Sequence, residues 1–326
     1  MLSESRSSTL FPTCSTSEEQ LVASIRQMGE DALVSLLTSR LPLNEALFVG
    51  PGDDCAVVQR DGLWDTLLKT DAVVEGIHFT PETPSELIGR KALARAVSDV
   101  AAMGGLPEHA LVTILAHPER PVEQLEGIYR GLGALAEEFG IAVAGGETAA
   151  LPTDGLALSI TLTGRVEHGR AWLRSTASPG DLIAVTGKLG ASFPSGRHLT
   201  FRPRLSLARL LQERGPCPTA AMDLSDGLGT DLPRLARASG CGFRLDESLL
   251  PRHEGASIRQ ALTDGEDYEL LLCFHPGDLP LLAALFSTNE PSEKELVADF
   301  APLTVVGSMT ADATPELPSG WQHFAR

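Results

Sequence analysis

A two-domain protein whose first domain is α+β is what the sequence predicts, and three observations lead there. The chain has 326 residues, 43% of them hydrophobic, which is long for one core and ample for two. Strand-like and helix-like periodicities follow one another from Leu67 to Val166. Turn residues at Gly169-Arg170 and Ser178-Pro179-Gly180-Asp181 then mark the passage to a second set of elements.

In chain order, Ser17 to Leu37 reads as an amphipathic helix, with Leu21, Val22, Ile25 and Met28 at helical spacing and acids in the first turn. Val49 to Asp54 is a glycine loop able to bring backbone amides close to a ligand. Leu67 to Val74 is strand-like, and strand geometry puts Lys69, Asp71 and Val73 on one face. Ser85 to Met103 is helical, with Gly104, Gly105 and Pro107 as stop signals, so Asp99 falls inside a helix, where Asp is a poor former. Strand-like Ala110 to Ala116, a helix over Pro121 to Phe139 ended by Gly140, and strands over Ile141 to Ala144 and Leu156 to Val166 complete the first unit. In the second, Leu182 to Thr186 and Tyr268 to Phe274 read as strands, and Arg204 to Arg214 and Leu228 to Ser239 as helices. Pro233 should kink the last helix or restart it behind Asp231 as an N-cap.

A formal charge of -17 argues against a nucleic-acid or anionic-membrane partner, since both need a basic face that displaces counterions. One basic stretch holds Arg197, His198, Arg202, Arg204 and Arg209; it reads equally as a small-anion site and as a solvated helix face. The five cysteines have no zinc or redox spacing, so reduced thiols are expected. No apolar run reaches membrane length and Met1 to Ser15 lacks a signal-peptide core, so a cytoplasmic protein with a disordered tail over residues 1–16 is expected.

Five acidic clusters sit beside glycine or hydroxyl residues: Gly52-Asp53-Asp54, Lys69-Thr70-Asp71, Ser98-Asp99, Gly145-Gly146-Glu147-Thr148 and Asp223-Leu224-Ser225-Asp226-Gly227. Carboxylates gathered at one place repel one another, so such a set asks for a hard cation such as Mg2+, which most often carries a nucleotide. Asp226 has two readings, helix N-cap or metal ligand. Gly265 to Glu269 pairs acids with the Tyr268 ring and could hold a cationic substrate, or be an exposed turn. His78 reads as structural, and no serine or cysteine nucleophile or Walker loop is present.

Taken in order, Gly52 to Val57, Lys69 to Phe79, Lys91 to Gly105, Gly145 to Thr148, Met222 to Leu228 and Gly265 to Leu270 resemble the motifs of thiamine-monophosphate kinases. The resemblance runs from Glu18 to Phe324. The acidic loops alone indicate only the wider superfamily of aminoimidazole ribonucleotide synthetase and selenophosphate synthetase; His78-Phe79 and Gly265 to Leu270 select the kinase.

The resemblance implies an aminoimidazole ribonucleotide synthetase-like architecture. An ATP- and Mg-binding α+β domain over residues 17–167 would pair with its twin in a homodimer, and a C-terminal α/β domain would occupy 168–326. It implies ATP, several Mg2+ ions and thiamine monophosphate as ligands, with Asp71, Asp99 and Asp223 as catalytic residues. Asp54, Thr70, Asp71, Asp99, Glu147, Asp223 and Asp226 would be metal ligands, with Lys69 standing in that set where the family often has a small hydroxyl residue. Tyr129, Gly146, Glu147, Arg174 and Ser225 would meet the nucleotide, and His78, Glu266 and Trp321 the thiamine monophosphate. Two departures stand out: Glu147 replaces the usual Asp, a form common in the ribonucleotide-synthetase branch, and Gly187 to Arg204 is shortened. Two alternatives stay open, another ATP-dependent enzyme of that superfamily and a non-catalytic Mg-nucleotide-binding protein. If the kinase reading holds, the acceptor is an already ionised phosphate, so no general base is needed and transfer is direct and in line.

Overall fold

The computed structural model describes residues 24–287, 302–312 and 315–322. The expected tail over 1–16 and the first residues of the Ser17 to Leu37 helix lie outside them. The chain divides into two compact units, Met1–Leu41 with Gln322–Arg326, and Pro42–Trp321. In the first, the expected single helix is two, α1 (Ile25–Met28) and α2 (Glu30–Thr38), because Gly29 takes φ 76° and ψ 167°. Ser24 and Gln27 form a capping box at the start of α1.

In the second unit, β1 (Leu47–Val49), β2 (Ala56–Gln59), β3 (Trp64–Val74), β4 (Leu106–Ala116), β5 (Ala142–Ala150) and β6 (Leu156–Glu167) form a sheet of order β1-β2-β3-β6-β4-β5. All its pairs are antiparallel except β4 with β5. That parallel pair needs a crossover, which α4 (Val122–Phe139) supplies before ending at Gly140 with φ 67°. The helix α3 (Ser85–Ala102) packs against both α4 and the sheet. Its approach to α4 is closer than side chains permit: a Cβ on Gly89 would lie 1.9 Å from the Ile128 carbonyl oxygen, and one on Gly131 1.8 Å from that of Glu86. The other face of the sheet leaves Leu68, Val74, Leu111 and Val143 exposed.

A second sheet, β7 (Leu182–Thr186), β8 (Ala220–Asp223), β9 (Gly242–Leu245), β10 (Leu270–Phe274) and β11 (Leu303–Thr310), runs β8-β10-β7-β11-β9 with antiparallel pairs. It carries α5 (Arg197–Thr200), α6 (Leu205–Arg214), α7 (Leu228–Ala238), α8 (Ile258–Thr263) and α9 (Leu279–Ser287). Because α3 also touches β8, α5 and α6, every residue from Ile88 to Ala102 except Arg90 is buried. The charges of Lys91, Arg95 and Asp99 on α3 are therefore enclosed and must find partners.

Two local expectations are corrected. β5 does not stop at Ala144 but runs through Gly145 to Thr148, because Gly145 takes φ 147° and Gly146 lies against β4, where a Cβ would be 1.8 Å from the Val112 oxygen. Pro233 neither breaks nor restarts α7: the N-cap is Gly227, and Asp231 is fully buried, accepting from the Asp226 amide at 3.0 Å. A proline this near the start removes only the bond to the Gly229 carbonyl.

Candidate active site

The acids come together where α3 meets the ends of β3 and β8. Oxygen atoms of Asp54, Asp99 and Asp223 all lie within 4.8 Å of one another, and all three residues are buried. Asp54 follows the glycine loop, Asp99 projects from the last turns of α3, and Asp223 ends β8. These are hard oxygen donors only, the set that suits Mg2+.

Fixed cations already surround this cluster. The Lys69 ammonium reaches Asp99 Oδ1 at 2.8 Å from β3. Arg174 holds Asp54 with Nη2 and with Nε at 3.2 Å, while its amide donates to Asp53 at 3.1 Å. Two places along β3, Asp71 takes Arg95 in a fork of 2.9 and 3.1 Å. Asp223 has no ion pair among the described residues and accepts from the Ser98 hydroxyl at 2.8 Å.

The electrostatics follow from these partners. Burial works against the Lys69 ammonium, but Asp99 and then Asp71 outweigh it and hold its pKa above the ordinary lysine value. Burial works against the Asp71 carboxylate too, yet Arg95 and Lys69 lower its pKa. Asp223, lacking such a partner, is pushed up to about 7 by burial first and by Asp54 second. Asp53 rises to about 6, chiefly by burial.

A second group lies at the other end of α3. Lys91, fully buried, donates to the His78 carbonyl at 2.5 Å and to Glu266 Oε2 at 2.7 Å. The His78 ring accepts from the Val74 amide at 3.0 Å, so Nδ1 is unprotonated. Glu266 and Tyr268 have φ of 52° and 50°, a conformation held by hydrogen bonds that their backbone amides donate to the Ser225 and Leu224 carbonyls. Tyr268 stacks on Phe201 at 4.1 Å, and Arg95 lies 5.9 Å from its ring. Burial lowers the Lys91 pKa to about 8 against the opposing pull of Glu266.

The remaining expected residues are placed apart from the three-acid cluster. Asp226 is paired with Arg234, which also reaches Asp231 at 3.3 Å. Thr70 lies on the opposite face of β3, its hydroxyl 3.3 Å from that of Ser159. Glu147 is exposed on β5 and accepts from the Thr148 amide at 3.0 Å. Tyr129 is exposed on α4, Gly146 lies on β5, and Ser225 is half-buried after β8. The Trp321 amide donates to the Asp226 carbonyl at 2.9 Å.

The basic stretch is neither of the things it could be read as. Arg197 pairs with Asp267 at 2.6 Å, Arg204 takes Glu269 in a fork, and Arg209 reaches Glu167 at 2.7 Å and Glu213 at 3.0 Å. His198 is buried and stacks on Phe193 at 4.0 Å. Arg197 and Arg204 tie this stretch to the buried acids Asp267 and Glu269, while Arg209 meets the partly exposed Glu167 and the exposed Glu213. Sequence reasoning missed Lys91 and Arg95, and noted Ser98 beside Asp99 without its bond to Asp223; the signal was the spacing of four between Lys91, Arg95 and Asp99 in a helix rich in small and apolar residues.

Two family models match the chain, AIR synthase related protein N-terminal domain over residues 52–166 and AIR synthase related protein C-terminal domain over residues 182–317. Fold and acidic site together thus define an AIR synthase related protein. The thiamine-monophosphate kinase of Rhodopirellula baltica is 36% identical over 272 residues, covering 78% of this chain and 84% of that one. That of Salmonella typhimurium is 35% identical over 313 residues, covering 87% and 91%. The solved structure of AaThiL complexed with AMPPCP and TMP superposes with a TM-score of 0.78 at 28% identity, over 93% of this chain and 99% of that one. The chain belongs to the thiamine-monophosphate kinase family.

Proposed function

We propose that this protein transfers the γ-phosphate of ATP to thiamine monophosphate, making thiamine diphosphate. The near full-length match to thiamine-monophosphate kinases supports the substrates, and a structure of that fold binds AMPPCP, an ATP analogue, together with TMP. The observation that carries the chemistry is the convergence of Asp54, Asp99 and Asp223 within 4.8 Å. These three would hold Mg2+, with Asp71 next to them. When bound, the metal would neutralise the phosphate charge that the transfer gathers.

The chain's own residues would do the rest by position. Lys69, Arg95 and Arg174 supply positive charge around the acids, which lessens repulsion against an incoming polyphosphate. Lys91 holds Glu266 and the His78 backbone together, fixing the segment proposed to meet the thiamine. No base is called for, since the attacking phosphate oxygen is already ionised. Tyr129, Gly146, Glu147, Arg174 and Ser225 remain the proposed nucleotide contacts, and Trp321 a proposed thiamine contact. Thr70, Glu147 and Asp226 would serve as metal ligands only after leaving their present partners or with a ligand-induced shift.

The proposal includes a division into domains at 167 and 168, a homodimer and a cytoplasmic location. The uncovered sheet face with Leu68, Val74, Leu111 and Val143 supports the dimer, since such a patch invites a partner. No helix among the described residues is long and apolar enough to cross a membrane. The test is an assay of ATP with thiamine monophosphate across a Mg2+ titration, with thiamine diphosphate detected. Thiamine diphosphate formed in step with ADP is expected; ATP consumption indifferent to thiamine monophosphate would contradict the proposal.

A further inference from the structure

Lys69 places its ammonium against one acid of the three-acid cluster. Its Nζ lies 2.8 Å from Asp99 Oδ1, and Asp99 is one of the three acids whose oxygens converge within 4.8 Å. An ammonium is a compact point charge, unlike the planar fork of arginine, so it can stand in for a small cation between carboxylates. Its stem is held along β3 between β2 and β6, with Asp71 two residues on and facing the same side, so the charge is delivered by a rigid element.

Arg174 serves Asp54, Arg95 serves Asp71 and Lys69 serves Asp99, whereas Asp223 has only the Ser98 hydroxyl. Arg174 and Lys69 thus each put a cation on one of the three converging acids, Arg174 as a planar fork and Lys69 as a point charge, which leaves Asp223 as the acid without an ion pair among the described residues.

We infer that Lys69 is a built-in cation at the Asp99 end of the site, and that the chain therefore binds one divalent ion fewer than its carboxylates could otherwise hold. Metal is then taken on the Asp54 and Asp223 side. The inference rests on the proposed Mg-dependent kinase site, but it concerns the number and place of the ions and is read without turnover.

Titration of the full chain with Mn2+, free ion counted by electron paramagnetic resonance, compares wild type with Lys69→Met and Lys69→Ser. Both substitutions remove the charge, one keeping the bulk of the stem and one opening space for water. One additional Mn2+ per chain is expected in Lys69→Ser and in Lys69→Met. Equal counts in all three, or a lost ion in the variants, would overturn the inference. A wild-type crystal containing Mn2+ gives a reading independent of how the variants fold: anomalous density is expected against Asp54 and Asp223 and not within contact of Lys69 Nζ, and an ion displacing Lys69 from Asp99 would equally overturn it. Should the counts come out as expected while no thiamine diphosphate forms, the kinase proposal fails and this inference stands. Equal counts alongside ready product formation mean the reverse.

Discussion

Lys69 and Lys91 are two enclosed lysines in one molecule, and their environments push them in opposite directions. Lys69 faces Asp99 and Asp71, and its pKa rises despite burial. Lys91 is more fully enclosed, meets a single carboxylate on Glu266 and a neutral carbonyl, and its pKa falls to about 8. Burial has the same sign in both places, so the neighbouring charges decide the outcome, with Asp99 and Asp71 close to Lys69 and the pull of Glu266 on Lys91 opposed by Arg95. One end of α3 carries surplus negative charge suited to cations and their phosphates, and the other is balanced, holding a segment in a strained conformation.

The largest effect that sharpens this contrast is expected from Asp71→Asn. Turnover should fall on the order of a hundredfold or more, and the fold should lose about 3 kcal/mol because Arg95 is left enclosed without its carboxylate. Charge repulsion considered from the sequence alone suggests only a modest change in stability; the Arg95 fork reverses that expectation. Wild-type stability in denaturant would show that the fork does not matter. Asp223→Asn should cost turnover on a similar scale with no loss of stability, since this acid has no cation to abandon and its raised pKa already disfavours the ionised form. Marked destabilisation of that variant would break the distinction between the two acids.

At the other end of α3 the contrast becomes a pH dependence. The folded-state pKa of Lys91 lies near 8, below its ordinary 10.5, so between these values the unfolded chain binds more protons. Stability from this group therefore rises as pH rises through that window, by on the order of 3 kcal/mol at its upper end. Lys91→Met should lose this rise, which denaturation curves taken across the window would reveal; parallel wild-type and variant profiles would contradict it. The smallest effect is expected at Arg204→Lys, which keeps the charge but gives up the fork on Glu269. A loss of about 1 kcal/mol is expected, with the KM for ATP unchanged; a raised KM would restore the anion-site reading.

Much of the fold was legible, and the reason lies in periodicity. Leu182 to Thr186 was readable to the residue because it is a short buried apolar run, and α3 was readable because glycines close it. The break at Gly29 and the continuation of β5 through Gly145-Gly146 were not, since glycine signals permission for an unusual backbone rather than which one is adopted. In the site, Asp54, Asp99 and Asp223 could be singled out as acids set in glycine turns or awkwardly within a helix. Of their cationic partners, Lys69 and Arg174 were named through the family resemblance but not as ion-pair partners of these acids, and Arg95 was missed, because it looks like any surface arginine until packing encloses it. The same limitation made Arg197 to Arg209 look like a basic patch, when its charges are spent on acids far away in sequence.

The central claim, direct transfer between two phosphates in a site of carboxylates and fixed cations, is tested most directly by stereochemistry at phosphorus. ATP made chiral at the γ-phosphorus with oxygen isotopes would be incubated with thiamine monophosphate, Mg2+ and the protein, and the configuration of the transferred group read in the thiamine diphosphate formed. A single in-line displacement predicts inversion. Retention, which demands a phosphorylated enzyme intermediate, or the absence of thiamine diphosphate would contradict the account.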